Sequence, residues 1–136
     1  MKYIVLAGRI LYSLIFINSG IFHFSGAAVG YASSQGVPIA SFLVPLSGIM
    51  AIAGGLSIAF GFKARWGAWI LVAFLIPVTF MMHAFWNITD PEQQQMQMTM
   101  FMKNISMLGG AYLIAWFGAG PVSFDAKHND GRKTAL

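Results

Sequence analysis

The sequence predicts an all-α integral membrane protein, a bundle of four transmembrane helices with both termini on the cytoplasmic side (N-in/C-in). Four observations carry this. Of the 136 residues, 57% are hydrophobic and only 9% charged, whereas soluble domains carry about 25% charge. Four apolar segments, about 3–24, 40–62, 66–87 and 96–117, each approach the ~20 residues a helix needs to cross a hydrocarbon core of ~30 Å. Segments of ~10 residues with alternating polarity, the mark of a membrane β-barrel, do not occur. Finally, the cations fall at alternate ends of the spans: Lys2 and Arg9 open the first, Lys63 and Arg65 separate the second and third, and Lys127, Arg132 and Lys133 follow the fourth. Residues 26–39 carry no charge, and the connection after Trp86 carries only Asp90 and Glu92. The positive-inside rule therefore puts the cationic ends in the cytoplasm.

The first segment imitates a signal peptide, since Lys2 precedes it and Ser25, Gly26 and Ala27 follow. Arg9 interrupts the early apolar run, and cleavage would invert the charge pattern, so it is expected to stay as a span. Arg9, Ser13, Phe16, Gly20 and His23 recur at spacings of four and three and form one seam. Near the inner end, Arg9 is expected to snorkel to anionic headgroups. "GYASSQGVPIA" is too polar and short to span, and reads as a surface loop or short interfacial helix ahead of Pro38.

In the second segment Ser47, Ala51, Gly55 and Ala59 make a small-residue ridge suited to close helix packing, supported by Gly54 and Gly61. In the third, Thr79, His83 and Asn87 fall at i, i+4 and i+8, a polar stripe on one helix face. "TDPEQQQ" marks the start of the last helix: Thr89 or Asp90 caps, Pro91 takes the first helical position, and Glu92 suits the positive end of the dipole. This helix then carries Lys103 and Asn104 below the outer interface and brings the Gly109–Gly110 pair further in. The tail from Lys127 to Leu136 is polar and expected to fray. Short connections make residues 1–136 a single membrane domain.

Chemistry is bounded first by absences. Without cysteine there is no thiol redox, thiolate metal site or disulfide. The net charge of +4 is scattered rather than clustered on one face, which argues against nucleic acid. No phosphate-binding loop, dinucleotide fingerprint or nucleophile elbow is present. What is left is polar groups at membrane depth, each costly and hence a candidate. His83 lies roughly 26 Å along its helix from Trp66, near the outer end, as do His23, Asn87, Lys103 and Asn104, with Asn18 close by. These residues are the candidate ligand-binding set, in a polar pocket near the outer face. The plainer reading has Lys103 snorkelling outward and the two histidines acting as glue between helices.

Two other ligands are conceivable. His23 and His83 could clamp a haem, although the second histidine pair of a larger electron-transfer chain is missing. The run "MQMTMFM" pairs Met96 with Met100 and Met98 with Met102 as soft ligands for Cu(I), although methionine more often fills gaps. No metal site is assigned on this basis.

The stretches "GRILYSLIFINSGIFHF" (8–24), "GGLSIAFGFKARWGA" (54–68), "HAFW" (83–86), "FMKNISMLGG" (101–110) and "GPVSFD" (120–125) together resemble the DoxX family of small four-helix bacterial membrane proteins. That resemblance implies a cytoplasmic (inner) membrane location and, for some members, a part in redox complexes, including the small subunit of a thiosulfate:quinone oxidoreductase. It aligns the family's histidine with His83, its lysine–asparagine pair with Lys103 and Asn104, and its early arginine with Arg9. Many members carry a glutamate where this chain has Ala51, so a proton relay through that position is lacking.

The expectation is a subunit or anchor of a quinone-linked membrane system rather than a self-sufficient enzyme. Its cofactor is unknown, with quinone compatible. Its partners would be membrane lipids and a redox protein, and a homo-oligomer stays open. The rivals are a non-catalytic membrane scaffold and a copper-handling protein.

Overall fold

The computed structural model describes residues 1–133. Its elements are α1 (Lys2–Phe22), α2 (Gly26–Ser34), α3 (Ala40–Phe60), α4 (Ala64–Met82), a 3-10 turn (Phe85–Asn87), α5 (Pro91–Phe117) and α6 (Phe124–Lys133). Three of them, α1, α3 and α4, are long and apolar enough to cross a membrane. With 27 residues α5 is the longest helix, but its opening turns, "EQQQMQ", are polar. Asp90 caps it, its carboxylate accepting from the Gln93 N–H at 3.1 Å, with Pro91 in the first turn.

The long helices pack in the order α1 on α3, α3 on α4 and α4 on α5. Glycine sets the closeness of two of these seams. A Cβ on Gly20 would lie 2.7 Å from the Gly48 carbonyl oxygen, and one on Gly48 would lie 2.7 Å from that of Gly20. Backbone meets backbone there, and no side chain fits. Lower on the same seam a Cβ on Gly55 would be 3.3 Å from the Ser13 carbonyl oxygen. On another face of α3, Gly54 faces Gly67 of α4, each within about 3 Å of the other's carbonyl once given a Cβ. The buried residues of α1 are Arg9, Ser13, Phe16 and Gly20, four members of the seam that the spacing predicts. They close over a core of Phe16, Ala51, Ile58, Ala68, Leu71, Phe74 and Leu75.

Between α1 and α5 contact is made through a side chain. The Tyr12 hydroxyl donates to the Met107 carbonyl at 2.5 Å. Its ring occupies the space that Gly110 leaves open, where a Cβ would be 2.7 Å from the ring edge. Gly109 meets nothing within 4 Å.

At the end where α1 begins, Arg9 departs from the expectation that it snorkels. It is 4% exposed, and it donates to the Ala119 carbonyl at 2.9 Å and the Val122 carbonyl at 2.7 Å. In a medium without water, two free carbonyls are a nearer and better partner than a distant headgroup. Val122 adopts φ +57°, an uncommon value for a β-branched residue, and in that conformation its carbonyl meets the guanidinium. The chain then enters α6, which replaces the frayed tail expected there. Ser123 caps this helix, accepting from the Ala126 N–H at 3.1 Å. The Asp125 carboxylate crosses to α4 and accepts from the N–H groups of Lys63 at 2.7 Å and Ala64 at 3.0 Å. The side chains of Arg132 and Lys133, and residues Thr134–Leu136 as a whole, lie outside the described residues.

Because the contact is backbone against backbone, Gly20→Leu should destabilise the protein by about 1–3 kcal/mol. Gly109→Ala should be neutral or stabilising by up to about 1 kcal/mol. Thermal unfolding in detergent distinguishes the two, and equal effects would contradict the packing described. Arg9→Leu orphans two carbonyls and should cost about 1.5–3 kcal/mol. Arg9→Lys should restore only part of that, since an ammonium cannot reproduce the planar fork.

Candidate functional site

The half of the bundle away from the start of α1 holds a cavity of about 190 Å³ on the side where α1 and α5 face each other. From α1 come Ser19 and His23, from α4 Val78 and Met82, from the residue ending α4 His83, and from α5 Lys103 and Asn104; Tyr31 of α2 closes the top. Four of the five predicted residues thus line one space. The shape follows from the packing: glycines draw α1 onto α3, while Tyr12 joins α1 to α5 further in and leaves a gap above it.

Two predicted neighbours are elsewhere. Asn87 is exposed and does not line the cavity. The regular helix stops at Met82, and the chain turns into the 3-10 segment, so the i, i+4, i+8 stripe breaks after His83. The turn is held by aromatic packing: Phe85 and Trp86 meet Phe101 edge-on, with ring centroids 5.4 and 5.8 Å apart, and Phe80 meets it at 5.4 Å. Asn18 is also exposed, and its neighbour Ser19 faces the cavity instead.

Each histidine has a defined proton. His83 Nδ1 lies 2.7 Å from the Gln97 side-chain oxygen. An amide oxygen only accepts, so Nδ1 carries the hydrogen, and in the neutral ring Nε2 is the acceptor. The same Gln97 amide donates to the Tyr31 hydroxyl at 3.5 Å. His23 Nδ1 lies 3.0 Å from the Ser47 hydroxyl oxygen. Ser47 spends its own hydrogen on the Val44 carbonyl at 2.7 Å, so it accepts from His23, whose Nε2 is likewise left as an acceptor.

Asn104 is 4% exposed, lines the cavity, and makes no side-chain hydrogen bond among the described residues. Lys103 is more exposed, and its ammonium finds only the Met100 thioether, at 3.5 Å. A thioether is a weak acceptor, so nearly all of the lysine's donor capacity is unspent. The cavity therefore offers donors from Lys103 and Asn104 and acceptors from two imidazoles, with no carboxylate in its lining. Among the described residues no three His, Cys, Asp or Glu cluster as a metal site.

Sequence reasoning missed Tyr31, Ser47 and Gln97. Gln97 was accessible, since it precedes Asn104 by seven residues and shares its helix face. Tyr31 and Ser47 had no such signal, because their roles depend on how α2 and α3 lie against α1.

Comparison with known proteins now bears on the whole chain. The family model described as SURF4 matches residues 1–130. The chain belongs to the SURF4 family. It is 35% identical over 127 residues to the inner membrane protein YqjF of Escherichia coli (strain K12), a match covering 89% of this chain and 88% of the relative. It is 28% identical over 126 residues to the inner membrane protein YphA of the same organism, covering 91% and 89%. No solved structure is significantly similar to the chain.

Membership of the SURF4 family corrects the resemblance to DoxX proteins. The stretches that suggested it are short, and several have architectural roles here: Arg9 and "GPVSFD" form the network at the end where α1 begins, and "HAFW" forms the aromatic turn. With relatives named as inner membrane proteins and three apolar helices of spanning length, this SURF4 protein is a multi-pass protein of the bacterial inner membrane.

Nitrogen-15 spectra of histidine-labelled protein should show His23 and His83 as Nδ1–H tautomers. Ser47→Ala should release His23 alone, and Gln97→Leu should release His83 alone. An Nε2–H signal from His83 in the unmodified protein would contradict the assignment.

Proposed function

We propose that this SURF4 protein is a single four-span membrane domain, N-in/C-in, whose outer-half cavity binds the head group of a quinone-type lipid. In this reading it serves as a ligand-holding subunit or anchor of a membrane electron-transfer system. The observation that carries the reading is Asn104. Its amide lines the cavity and makes no side-chain hydrogen bond among the described residues, so a ligand oxygen entering the cavity would meet an uncommitted donor. Lys103 beside it would donate to the same oxygen and stabilise negative charge as the ring is reduced. The free Nε2 atoms of His23 and His83 suit the hydroxyl groups of the reduced form.

Size is consistent with a head group alone. The cavity is smaller than the roughly 300–1,000 Å³ typical of sites that enclose a whole ligand, so the tail would extend beyond it. An apolar cavity of about 450 Å³ lies alongside and shares Tyr31, His23, Phe74, Val78 and Met82 with it.

Treating α5 as the fourth span is supported by its length, about 40 Å at the helical rise, and by its packing along α4. The orientation is supported by the grouping of α1's start, the α3–α4 turn and α6 at one end, which collects Lys2, Lys63, Arg65 and Lys127.

The rivals fit less well. Gly48, Gly54 and Gly55 of α3 are spent on contacts within the bundle, which removes the small-residue face a scaffold would offer to partner helices. For copper, Met96, Met98 and Met102 are exposed, Met100 meets Lys103 and His83 is held by Gln97.

Purification with native lipids, followed by extraction and mass spectrometry, should recover quinone with the unmodified protein and at least about tenfold less with Lys103→Ala or Asn104→Leu, a loss of ~1.4 kcal/mol. Equal recovery from all three, or none from any, would refute the pocket.

A further inference from the structure

A second opening lies at the opposite end of the bundle. It is a groove of about 1,040 Å³ between the start of α4, the end of α5 and α6. Its lining combines two kinds of residue. Lys63, Arg65 and Lys127 supply three cations. Trp66 and Phe117, 71% and 72% exposed, and the exposed Phe62 and Phe124 supply aromatic surface.

The one acid in this groove offsets only one of the three cations and forms no ion pair with them among the described residues. Asp125 places one carboxylate oxygen on the Lys63 N–H and the other on the Ala64 N–H, so both are engaged by the backbone. Two lysines lie over rings instead: Lys63 is 5.8 Å from the centre of Phe62 and Lys127 is 5.9 Å from that of Phe124. The groove therefore has a net excess of positive charge. Its depth is also set, because it begins where the apolar α4 starts and α5 ends, at the boundary between hydrocarbon and water.

We propose that this groove is a specific site for the phosphate headgroup of an anionic phospholipid. Lys63, Arg65 and Lys127 would contact the phosphate, and the acyl chains would run along Trp66 and Phe117. A lipid fits better than a free anion because four of the lining residues, Phe62, Trp66, Phe117 and Phe124, are exposed aromatics, a surface that a soluble phosphate could not cover. The hydrogen bonds of Arg9 and Asp125 hold the walls together, so the site is formed by the fold before any lipid arrives. It is separate from the outer cavity and does not depend on the quinone reading.

The test is native mass spectrometry of detergent-purified, delipidated protein, titrated with phosphatidylglycerol, cardiolipin or phosphatidylcholine of matched chains. Phosphatidylglycerol and cardiolipin adducts should form at least about tenfold more readily than phosphatidylcholine adducts. The Lys63→Ala, Arg65→Ala, Lys127→Ala triple variant should lose that preference while keeping its helical circular dichroism. Should that variant fail to fold, the salt dependence of adduct formation on the unmodified protein decides, since headgroup binding must weaken as ionic strength rises. Equal binding of all three lipids, a preference insensitive to salt, or a preference intact in the folded variant would overturn the proposal. Displacement of phosphatidylglycerol by millimolar inorganic phosphate would overturn it too, by assigning the groove to a soluble anion.

Discussion

A buried guanidinium organises one end of this molecule. Arg9 sits two turns into an apolar helix, and its charge has to be met by protein groups because hydrocarbon offers none. It meets the carbonyls of Ala119 and Val122, which fixes the connection after α5. With that connection in place, Ser123 can cap α6 and Asp125 can reach the start of α4. A polar chain thus links α1, α4, α5 and α6 in a region where helix packing alone would leave the loop undefined.

The other end is governed by distance rather than charge. Gly20 and Gly48 bring α1 and α3 to backbone contact, while α1 and α5 are spaced by the Tyr12 ring lying over Gly110. A bundle drawn tight on one side and propped open on another must contain a gap, and the polar residues of α1 and α5 project into it. The gap gives Lys103 and Asn104 of α5 and the two histidines a shared space to line. Deep polar groups and the cavity beside them thus have one geometric origin.

Much of this was legible in the chain. Periodicity in α1 put Arg9, Ser13, Phe16, Gly20 and His23 on one seam, of which the first four are buried, and "TDPEQQQ" located the start of α5 with its cap. His23, His83, Lys103 and Asn104 were singled out by polarity at depth, and they line one cavity. The errors have physical causes. Asn87 was assigned to the stripe because spacing assumes that a helix continues, whereas the packing of Phe85 and Trp86 on Phe101 ends α4 at Met82. Arg9 was assigned to headgroups because the carbonyls that hold it lie about 110 residues away in sequence. The DoxX resemblance rested on motifs whose architectural purpose becomes visible only when they are seen folded.

The amino-acid sequence by itself determined what each segment can tolerate: which runs belong in lipid, where a helix can begin, which positions are too small to hold backbones apart, and which residues are too polar to be left alone. These are local properties, set by side-chain chemistry and helical spacing. Only the tertiary structure decided which of those polar residues share a space, which nitrogen of each histidine keeps its hydrogen, and where a buried charge finds its carbonyls. Those outcomes depend on partners distant in the chain, and the distances between such partners are set by how closely the helices pack.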